Sequence, residues 1–260
     1  MADWGTGNYE ITAAQLAPVA EIVVDAAEPV SGRNTLDIAC GTGNASLIAA
    51  GRGAKVTGLD AATRLLEVAG ARASEAGLTI DWVEGSMLEL PFADDSFEIV
   101  TSVFGVLFGD PPGAVAGEIA RVLETNGRVA LTTWTDEGLL PAVAQLAKEA
   151  VADALELPPD ENEPFHWGNP VELRELFAEH GIALQVEKRE ISFRADSAEA
   201  ANEEWNDHHP MWLALRETIG EQNFEALSSR VLETLKAGNE STDGGFSYTS
   251  TYLLALGSPV

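Results

Sequence analysis

The first two thirds of the chain alternate between short apolar runs and longer amphipathic stretches. Short apolar runs are typical of buried strands and amphipathic stretches of surface helices, so this alternation predicts βαβ units around a parallel sheet. The predicted strands cover residues 35–39, 55–59, 79–83, 97–103 and 128–133. The predicted helices cover residues 13–27, 45–52, 63–76 and 112–124, with Pro29 after the first, Gly77 closing the third and an Asn126-Gly127 turn after the fourth.

The alternation becomes less regular after Trp134. The pattern there predicts a helix over 141–155, a loop over 158–170, a helix over 171–180, a strand over 183–193, a helical stretch over 198–237 broken near Pro210, and a strand over 246–256. Helical insertions before the last strands would lie above the sheet edge where open α/β sheets bind ligands. We therefore expect one domain over residues 1–260, with lid segments at about 1–30, 136–170 and 197–240.

The net charge of −27, from 42 acidic and 15 basic residues, narrows the range of partners. The acidic residues are spread along the chain, and such a surface repels phosphate backbones, so we expect no nucleic-acid partner. Two explanations stay open. An acidic surface could be adapted to high salt, or it could attract a cationic substrate. The even spread favours the first.

Several features predict a cytoplasmic protein without a membrane partner. No apolar run reaches the length of a membrane span, and the N-terminus lacks the basic and apolar regions of a secretory leader. The single cysteine, Cys40, excludes an internal disulfide, which agrees with a reducing compartment. A homodimer is compatible with the sequence.

The segment 36–44 (LDIACGTGN) carries the strongest functional pattern. Glycines in a strand-to-helix turn let the backbone approach a ligand closely, and dinucleotide-binding enzymes use a similar turn. Here, however, Ser46 stands where their third glycine would fall, and the carboxylate of Asp37 would repel a pyrophosphate. S-adenosylmethionine (SAM) has no phosphate and carries an ammonium group, so the acid favours SAM. The alternative is a structural turn in which Asp37 is a cap or a loop anchor.

Asp60 follows the second predicted strand. A carboxylate at this place can accept hydrogen bonds from both ribose hydroxyls of a nucleoside, whether the cofactor is SAM or NAD. The alternative is an N-cap of the next helix.

Together these motifs resemble the class I SAM-dependent methyltransferases, especially the branch of ubiquinone/menaquinone C-methyltransferases. The resemblance covers about residues 34–134 and rests on 36–43 (LDIACGTG), 56–60 (VTGLD), 85–92 (GSMLELPF) with 95–100 (DSFEIV), and 121–123 (RVL) with 127–129 (GRV). It implies an α/β fold with a Rossmann-like doubly wound seven-stranded sheet, mostly parallel with an antiparallel last strand. Residues 166–168 (HWG) and 191–194 (ISFR) are similar to small-molecule methyltransferases whose acceptors are mostly undefined.

The resemblance also implies which residues bind the cofactor. Asp37, Gly41 and Gly43 would hold the methionine end, Asp60 the ribose, and Phe104 and Gly105 would line the boundary with the acceptor. The full predicted set is Asp37, Ala39, Gly41, Thr42, Gly43, Asp60, Ala61, Ser86, Met87, Phe104 and Gly105. Two positions depart from the family: Ala39 replaces a common glycine, and Ser86, which with Met87 would flank the adenine, replaces a common acid. Serine is the weaker acceptor, so we expect somewhat weaker cofactor binding.

The acceptor side has no strict pattern. Methyl transfer is an in-line displacement that needs a base only if the acceptor must lose a proton. His166, His208 and His209 are the candidates, because neighbouring tryptophans could sandwich a flat acceptor or contact a sulfonium. For any single histidine, packing within the lid is the favoured alternative. The paired histidines lack helix-spaced metal partners, so we expect no metal.

Asp110-Pro111-Pro112 is similar to a motif of enzymes that methylate exocyclic amines, but no aromatic residue follows Pro112 and the segment does not directly follow the fourth strand. We expect the two prolines to begin a helix.

These observations favour transfer of a methyl group from SAM to an O, N or C atom of a small-molecule acceptor. The alternatives are a SAM-binding protein without catalysis and an NAD(P)-dependent oxidoreductase, which the missing third glycine and Asp37 disfavour.

Overall fold

The helices and strands of the protein alternate over most of the chain. A computed structural model describes residues 3–27, 32–158 and 165–260. The strands are β1 (Asn34–Ile38), β2 (Lys55–Asp60), β3 (Asp81–Glu84), β4 (Phe97–Val103), β5 (Leu123–Gly138), β6 (Ile182–Ala195) and β7 (Phe246–Pro259). The helices are α1 (Tyr9–Ala27), α2 (Asn44–Gly51), α3 (Thr63–Glu75), α4 (Pro112–Val122), α5 (Leu139–Ala154), α6 (Pro170–Glu179), α7 (Ala198–His208), α8 (Pro210–Ile219) and α9 (Glu221–Ala237), and a 3-10 turn covers Val106–Phe108.

The seven strands form one sheet in the order β3-β2-β1-β4-β5-β7-β6. β1 pairs in parallel with both β2 and β4, with Thr35 opposite Val56 and Ile99. The sheet is mostly parallel, and its last strands are antiparallel, which confirms the predicted fold class. Strand order reverses between β1 and β4, and ligands of such sheets bind outside the carboxyl ends of the strands at this switch point.

The two faces of the sheet bury different residues of β1. Leu36 and Ile38 belong to an apolar cluster that includes residues of α4 and α6. Asp37 points to the opposite face, where its side chain meets Ser46 of α2. Because side chains alternate across a strand, this register places the carboxyl on the face that carries the next helix of the chain.

The chain divides into two compact units. The sheet unit comprises Ala13–Trp134, Phe165–Arg189 and Tyr252–Val260, and the small unit comprises the described parts of 1–12, 135–164 and 190–251. The small unit has its own aromatic core, in which Trp205 stacks on Trp212 at 6.0 Å and Trp212 meets Phe224 edge to face at 6.1 Å. The predicted lid segments are divided between the two units, and a single domain with a lid stays a prediction.

The helical stretch predicted over 198–237 is three helices and not two. The expected break at Pro210 is present, and a second break lies at Gly220, whose φ of +78° no other residue type adopts readily. The prediction missed it because a single glycine inside a helical pattern is often tolerated.

The prediction of an Asn126-Gly127 turn between the fourth helix and the fifth strand was wrong, because both residues lie within β5. β5 begins at Leu123, opposite Phe97, and its pairing then shifts so that Arg128 lies opposite Ile99. The extra residues are therefore an irregularity inside one strand, and a side chain at Gly127 would meet the Glu124 carbonyl oxygen at 2.9 Å.

Other predicted bounds differ by a few residues. The first helix begins at Tyr9 and not at residue 13, and β3 covers Asp81–Glu84 and not 79–83. α3 has Ala76 at its C-cap, and Gly77 follows with a φ of +68°. Pro29 and part of the 158–170 loop lie outside the described residues. No helix in the described ranges has the length and apolar character needed to cross a membrane.

Phe177 of α6 is fully buried in the cluster between helix and sheet. Replacing it with alanine leaves a cavity, so we expect Phe177→Ala to lower the free energy of unfolding by roughly 3–5 kcal/mol. Val171 on the same helix is exposed, so Val171→Ala is the matched control, with an expected change below about 0.5 kcal/mol. Urea unfolding measures both, and equal changes in the two variants would contradict this description of the core.

Candidate cofactor-binding site

The turn between β1 and α2 has an unusual backbone. Ala39, Gly41 and Gly43 all have positive φ angles, of 51°, 55° and 81°. Alanine rarely adopts this conformation, and such residues persist where surrounding structure holds them and often lie at functional sites. A side chain at Gly43 would lie 2.8 Å from the Trp82 ring, so glycine is required there.

Asp37 is buried and fully engaged with neutral donors. One carboxyl oxygen accepts hydrogen bonds from the Ser46 amide at 3.1 Å and the Ser46 hydroxyl at 2.6 Å, and the other accepts from Thr101 Oγ1 at 3.0 Å. Burial raises the pKa of Asp37 to about 6, although these hydrogen bonds oppose the shift. Asp37 thus anchors the first turn of α2, as the structural alternative expected, and its role toward a ligand stays a prediction.

Asp60 closes β2 and holds the same turn from the other side. Its carboxyl accepts the Gly41 amide at 2.8 Å and the Ala62 amide at 2.9 Å, and burial raises its pKa. The N-cap of α3 is Ala62, so Asp60 is not the helix cap that the alternative proposed. Each carboxylate oxygen has a second lone pair, so the group can accept further hydrogen bonds.

The two carboxyl groups lie close enough to influence each other. The charge of Asp60 contributes to the raised pKa of Asp37, and both raise the pKa of the buried Cys40 thiol, for which burial is the larger cause. Among the described residues, no lysine, arginine or histidine forms a hydrogen bond or ion pair with either carboxyl. Buried acids without a basic partner favour a ligand that brings positive charge.

The turn after β4 packs directly against the glycine turn. A side chain at Gly105 would lie 2.4 Å from Ala39 Cβ and 3.0 Å from Ser102 Oγ, so only glycine fits this approach. Phe104 has a φ of 55°, and its amide donates to Thr132 Oγ1 at 3.1 Å. The structure therefore brings Ala39, Phe104 and Gly105 together at one sheet edge, and the boundary role of Phe104 and Gly105 stays a prediction.

Three aromatic side chains pack together beside the turn after β4. Phe104 stacks on Trp134 with ring centroids 3.8 Å apart and planes at 6°, and Tyr252 meets Phe104 edge to face at 5.5 Å. Trp134 and Tyr252 were not among the residues predicted to form the site. For Trp134 there was a clue, since it directly follows a predicted strand, whereas Tyr252 is far along the chain.

The loop after β3 is tied to Asp60 through the backbone. The Gly85 amide donates to the Asp60 carbonyl at 3.0 Å. Ser86 is exposed, and its Oγ accepts the Leu88 amide at 3.1 Å, which leaves its hydroxyl proton to donate. Met87 is half-buried nearby, and its sulfur would lie 2.9 Å from a Cβ atom added at Gly109.

Trp82 of β3 is a supporting residue that the sequence analysis missed. Its ring lies 2.4 Å from the position of a side chain on Gly58 and 2.8 Å from one on Gly43. Two glycines thus make room for one indole beneath the turn. Spacing along the chain gives no sign of this, because Gly43 and Trp82 come from different elements.

The three candidate histidines differ in environment. His208 is exposed at the end of α7. His209 lies between α7 and α8, its Nδ1 is buried without a hydrogen-bond partner, and burial lowers its pKa to about 4. His166 lies in the sheet unit, in a turn where its amide donates to Glu172. Within the described ranges, no cluster of three or more metal-ligating side chains occurs.

Pro111 and Pro112 begin α4, with Pro112 at its first position, as expected for these residues.

The raised pKa of Asp37 predicts how stability changes with pH. The folded protein holds this proton up to a pKa of about 6, whereas the unfolded chain releases it at its ordinary pKa near 4, so the free energy of unfolding falls as the pH rises between these values and then levels. The asparagine of Asp37→Asn cannot ionise. In this variant we expect the decrease in the free energy of unfolding to be smaller by roughly 2–3 kcal/mol. Any decrease that remains would come from other groups such as Asp60.

Urea unfolding between about pH 4 and pH 7.5 measures this difference. The control is Asp25→Asn, which removes an exposed carboxylate that pairs with Arg52. An unchanged pH dependence in Asp37→Asn would contradict a buried carboxyl with a raised pKa.

Comparison with known proteins identifies residues 36–131 as a methyltransferase domain. This range contains the glycine turn, Asp60 and the end of β4. An uncharacterised protein of Mycobacterium tuberculosis, Rv1405c, is 32% identical over 223 residues, which cover 85% of this chain and 80% of that protein. A demethylmenaquinone methyltransferase of Clavibacter sepedonicus is 38% identical over 110 residues, which cover 42% of this chain and 44% of that enzyme.

The fold has solved counterparts. A geranyl diphosphate methyltransferase in complex with SAM aligns with a TM-score of 0.56 at 19% identity, over 94% of this chain and 85% of that chain. The matched domain, the mycobacterial relative and the sheet with its glycine turn all agree. The chain therefore belongs to the class I SAM-dependent methyltransferases, in the same family as the mycobacterial protein.

Proposed function

We propose that this methyltransferase transfers the methyl group of SAM to an oxygen, nitrogen or carbon atom of a small-molecule acceptor. One observation carries the cofactor part of the proposal: two buried carboxyl groups flank a glycine turn, and no basic side chain in the described chain neutralises them. The small-molecule part is supported by the net charge of −27, which disfavours nucleic-acid acceptors, and by the name of the Clavibacter relative.

The residues of the turn fit SAM better than a dinucleotide. The ammonium of its methionine part would lower the cost of keeping Asp37 ionised, whereas a diphosphate would raise it. We assign the methionine end to Asp37, Ala39, Gly41, Thr42 and Gly43. The backbone of the turn supports this, because Ala39, Gly41 and Gly43 have positive φ angles of 51°, 55° and 81°.

We assign the nucleoside end of SAM to residues at the end of β2 and in the loop after β3. Asp60 would accept the ribose hydroxyls with its remaining lone pairs, and Ala61 would lie next to the adenine. Ser86 and Met87 would flank the adenine edge. Because Ser86 Oγ already accepts the Leu88 amide, its hydroxyl is better placed to donate than to accept, and we retain the expectation of weaker adenine binding.

When bound, SAM would supply an electrophilic methyl carbon, to which the acceptor atom would bond as the carbon–sulfur bond breaks and S-adenosylhomocysteine leaves. Phe104 and Gly105 would line the boundary where the acceptor approaches, with the Phe104–Trp134 stack as an apolar wall. Orientation against this wall would supply much of the acceleration.

Among the three candidate histidines, we choose His209 as the proton acceptor on the basis of its own surroundings. Its buried Nδ1 has no partner, and its low pKa keeps the imidazole neutral at physiological pH. A pKa of about 4 makes it a weak base, which suits an acceptor that loses its proton easily. His208 and His166 are the weaker candidates, and packing remains the alternative for each.

We place the protein in the cytoplasm, without a nucleic-acid or membrane partner, and a homodimer stays compatible with this proposal. The single cysteine supports the location, and the acidic composition disfavours a nucleic-acid partner.

A labelling experiment tests the proposed acceptor class. The protein is incubated with methyl-labelled SAM and a cell extract separated into low-mass and macromolecular fractions. We expect label to enter compounds of the low-mass fraction. Label only in protein or nucleic acid would contradict the small-molecule acceptor, and cofactor binding without any transfer would favour a non-catalytic SAM-binding protein.

Asp60→Asn is the matched variant in this experiment. It keeps an oxygen that can accept the Gly41 amide but loses the charge, so we expect transfer at low SAM concentration to fall about 10–100-fold. Asp81→Asn, which changes an exposed acid of β3, should leave transfer unchanged.

A further inference from the structure

Arg72 of α3 reaches the glycine turn from outside the sheet. Its Nη1 donates to the Thr42 carbonyl oxygen at 2.5 Å, to Thr42 Oγ1 at 3.0 Å and to Asn44 Oδ1 at 2.9 Å. All three acceptors lie on the turn or on the first residue of α2. One guanidinium thus holds the segment whose backbone has three positive φ angles.

The charge of Arg72 is unusual in its surroundings. The protein has 42 acidic and only 15 basic residues, yet within the described ranges Arg72 forms no ion pair with a carboxylate. Its hydrogen-bond partners are neutral oxygens, and hydrogen bonds from a charged donor are stronger than those between neutral groups. A half-buried arginine bonded only to this turn is better explained by the turn than by surface charge balance.

The same contacts extend to the first helix. Asn44 accepts from Arg72 through Oδ1 and donates through Nδ2 to the Ala13 carbonyl oxygen of α1 at 2.7 Å. The guanidinium therefore fixes the orientation of the Asn44 amide, because the amide must present its oxygen to Arg72 and its nitrogen to α1. This arrangement connects α3, the turn and α1.

We propose that Arg72 is a positioning residue for SAM binding, which acts by holding the glycine turn in its ligand-binding conformation. The proposal rests on the assignment of the turn to the methionine end of SAM. The turn contains a strained alanine and two left-handed glycines, so without an external anchor it would sample other conformations. Asp37 and Asp60 hold amides on either side of the turn, and Arg72 holds the Thr42 carbonyl between them.

Variants of Arg72 test this with S-adenosylhomocysteine as the probe. We expect Arg72→Gln to weaken binding about tenfold in calorimetric titration, because binding must then select one conformation of a looser turn. Arg72→Lys keeps the charge but not the planar donor group, so it should fall between Gln and wild type. The control is Arg52→Gln, since Arg52 caps the opposite end of α2 and pairs with the exposed Asp25.

Hydrogen exchange gives a readout without ligand. The amides of Gly43 and Leu47 bond to the Cys40 and Gly43 carbonyl oxygens, so they report on the turn itself. We expect both to exchange at least several-fold faster in Arg72→Gln than in wild type, and at the wild-type rate in Arg52→Gln.

The outcomes separate this proposal from the proposed function. If Arg72→Gln is less stable but binds S-adenosylhomocysteine with wild-type affinity well below its melting temperature, Arg72 is only structural and the proposal is overturned. If wild type itself does not bind the probe, the cofactor assignment fails, and the positioning proposal fails with it whatever the exchange rates show. Faster exchange together with weaker binding supports the proposal. Adding Asn44→Ala to Arg72→Gln should then weaken binding by less than the sum of the single changes.

Discussion

Two carboxyl groups buried beside one glycine turn set the main constraint on this structure. Asp37 and Asp60 are shielded from water, their pKa values are raised by burial, and their partners are amides and hydroxyls. Burial of an acid without a basic partner is costly, and proteins retain such groups mainly where function needs them. The same carboxyl groups accept hydrogen bonds from the amides of Ser46 and Gly41, so they fix the backbone of the turn and also give it negative charge.

The topology of the sheet places the Asp37 and Asp60 carboxyl groups near one edge. β1 lies where the strand order reverses, so the turns after β1 and β4 meet, and glycine at position 105 allows contact with Ala39. Phe104, which precedes Gly105, stacks on Trp134, and we propose that this aromatic pair lines the acceptor side. We propose that the charged part of the site lies in the turn and that its apolar part lies where Phe104 follows β4 and stacks on Trp134 of β5.

Sequence patterns predicted most of the sheet, although the bounds of β3 and the start of β5 differ from the prediction. The strand over 97–103 was predicted with its observed bounds, because a run of apolar residues between turn signals has few alternatives. The gathering of Asp37, Gly41 and Asp60 followed from strand ends sharing one edge of a parallel sheet. By contrast, Arg72, Trp82 and Tyr252 reach the site or its support through contacts between distant segments, which neither spacing nor periodicity encodes. The histidines were named from residue type and neighbouring tryptophans, and only the structure distinguished His209, whose Nδ1 is buried, from the exposed His208.

The most direct measurement is a calorimetric titration of SAM and of NAD into the wild-type protein across about pH 5 to pH 8. A site built from buried carboxyls should bind SAM and not NAD. Its affinity for SAM should rise with pH until Asp37, with its pKa of about 6, is ionised, and should be level above that. Preferential binding of NAD, or an affinity for SAM that weakens as the carboxyls ionise, would contradict this account.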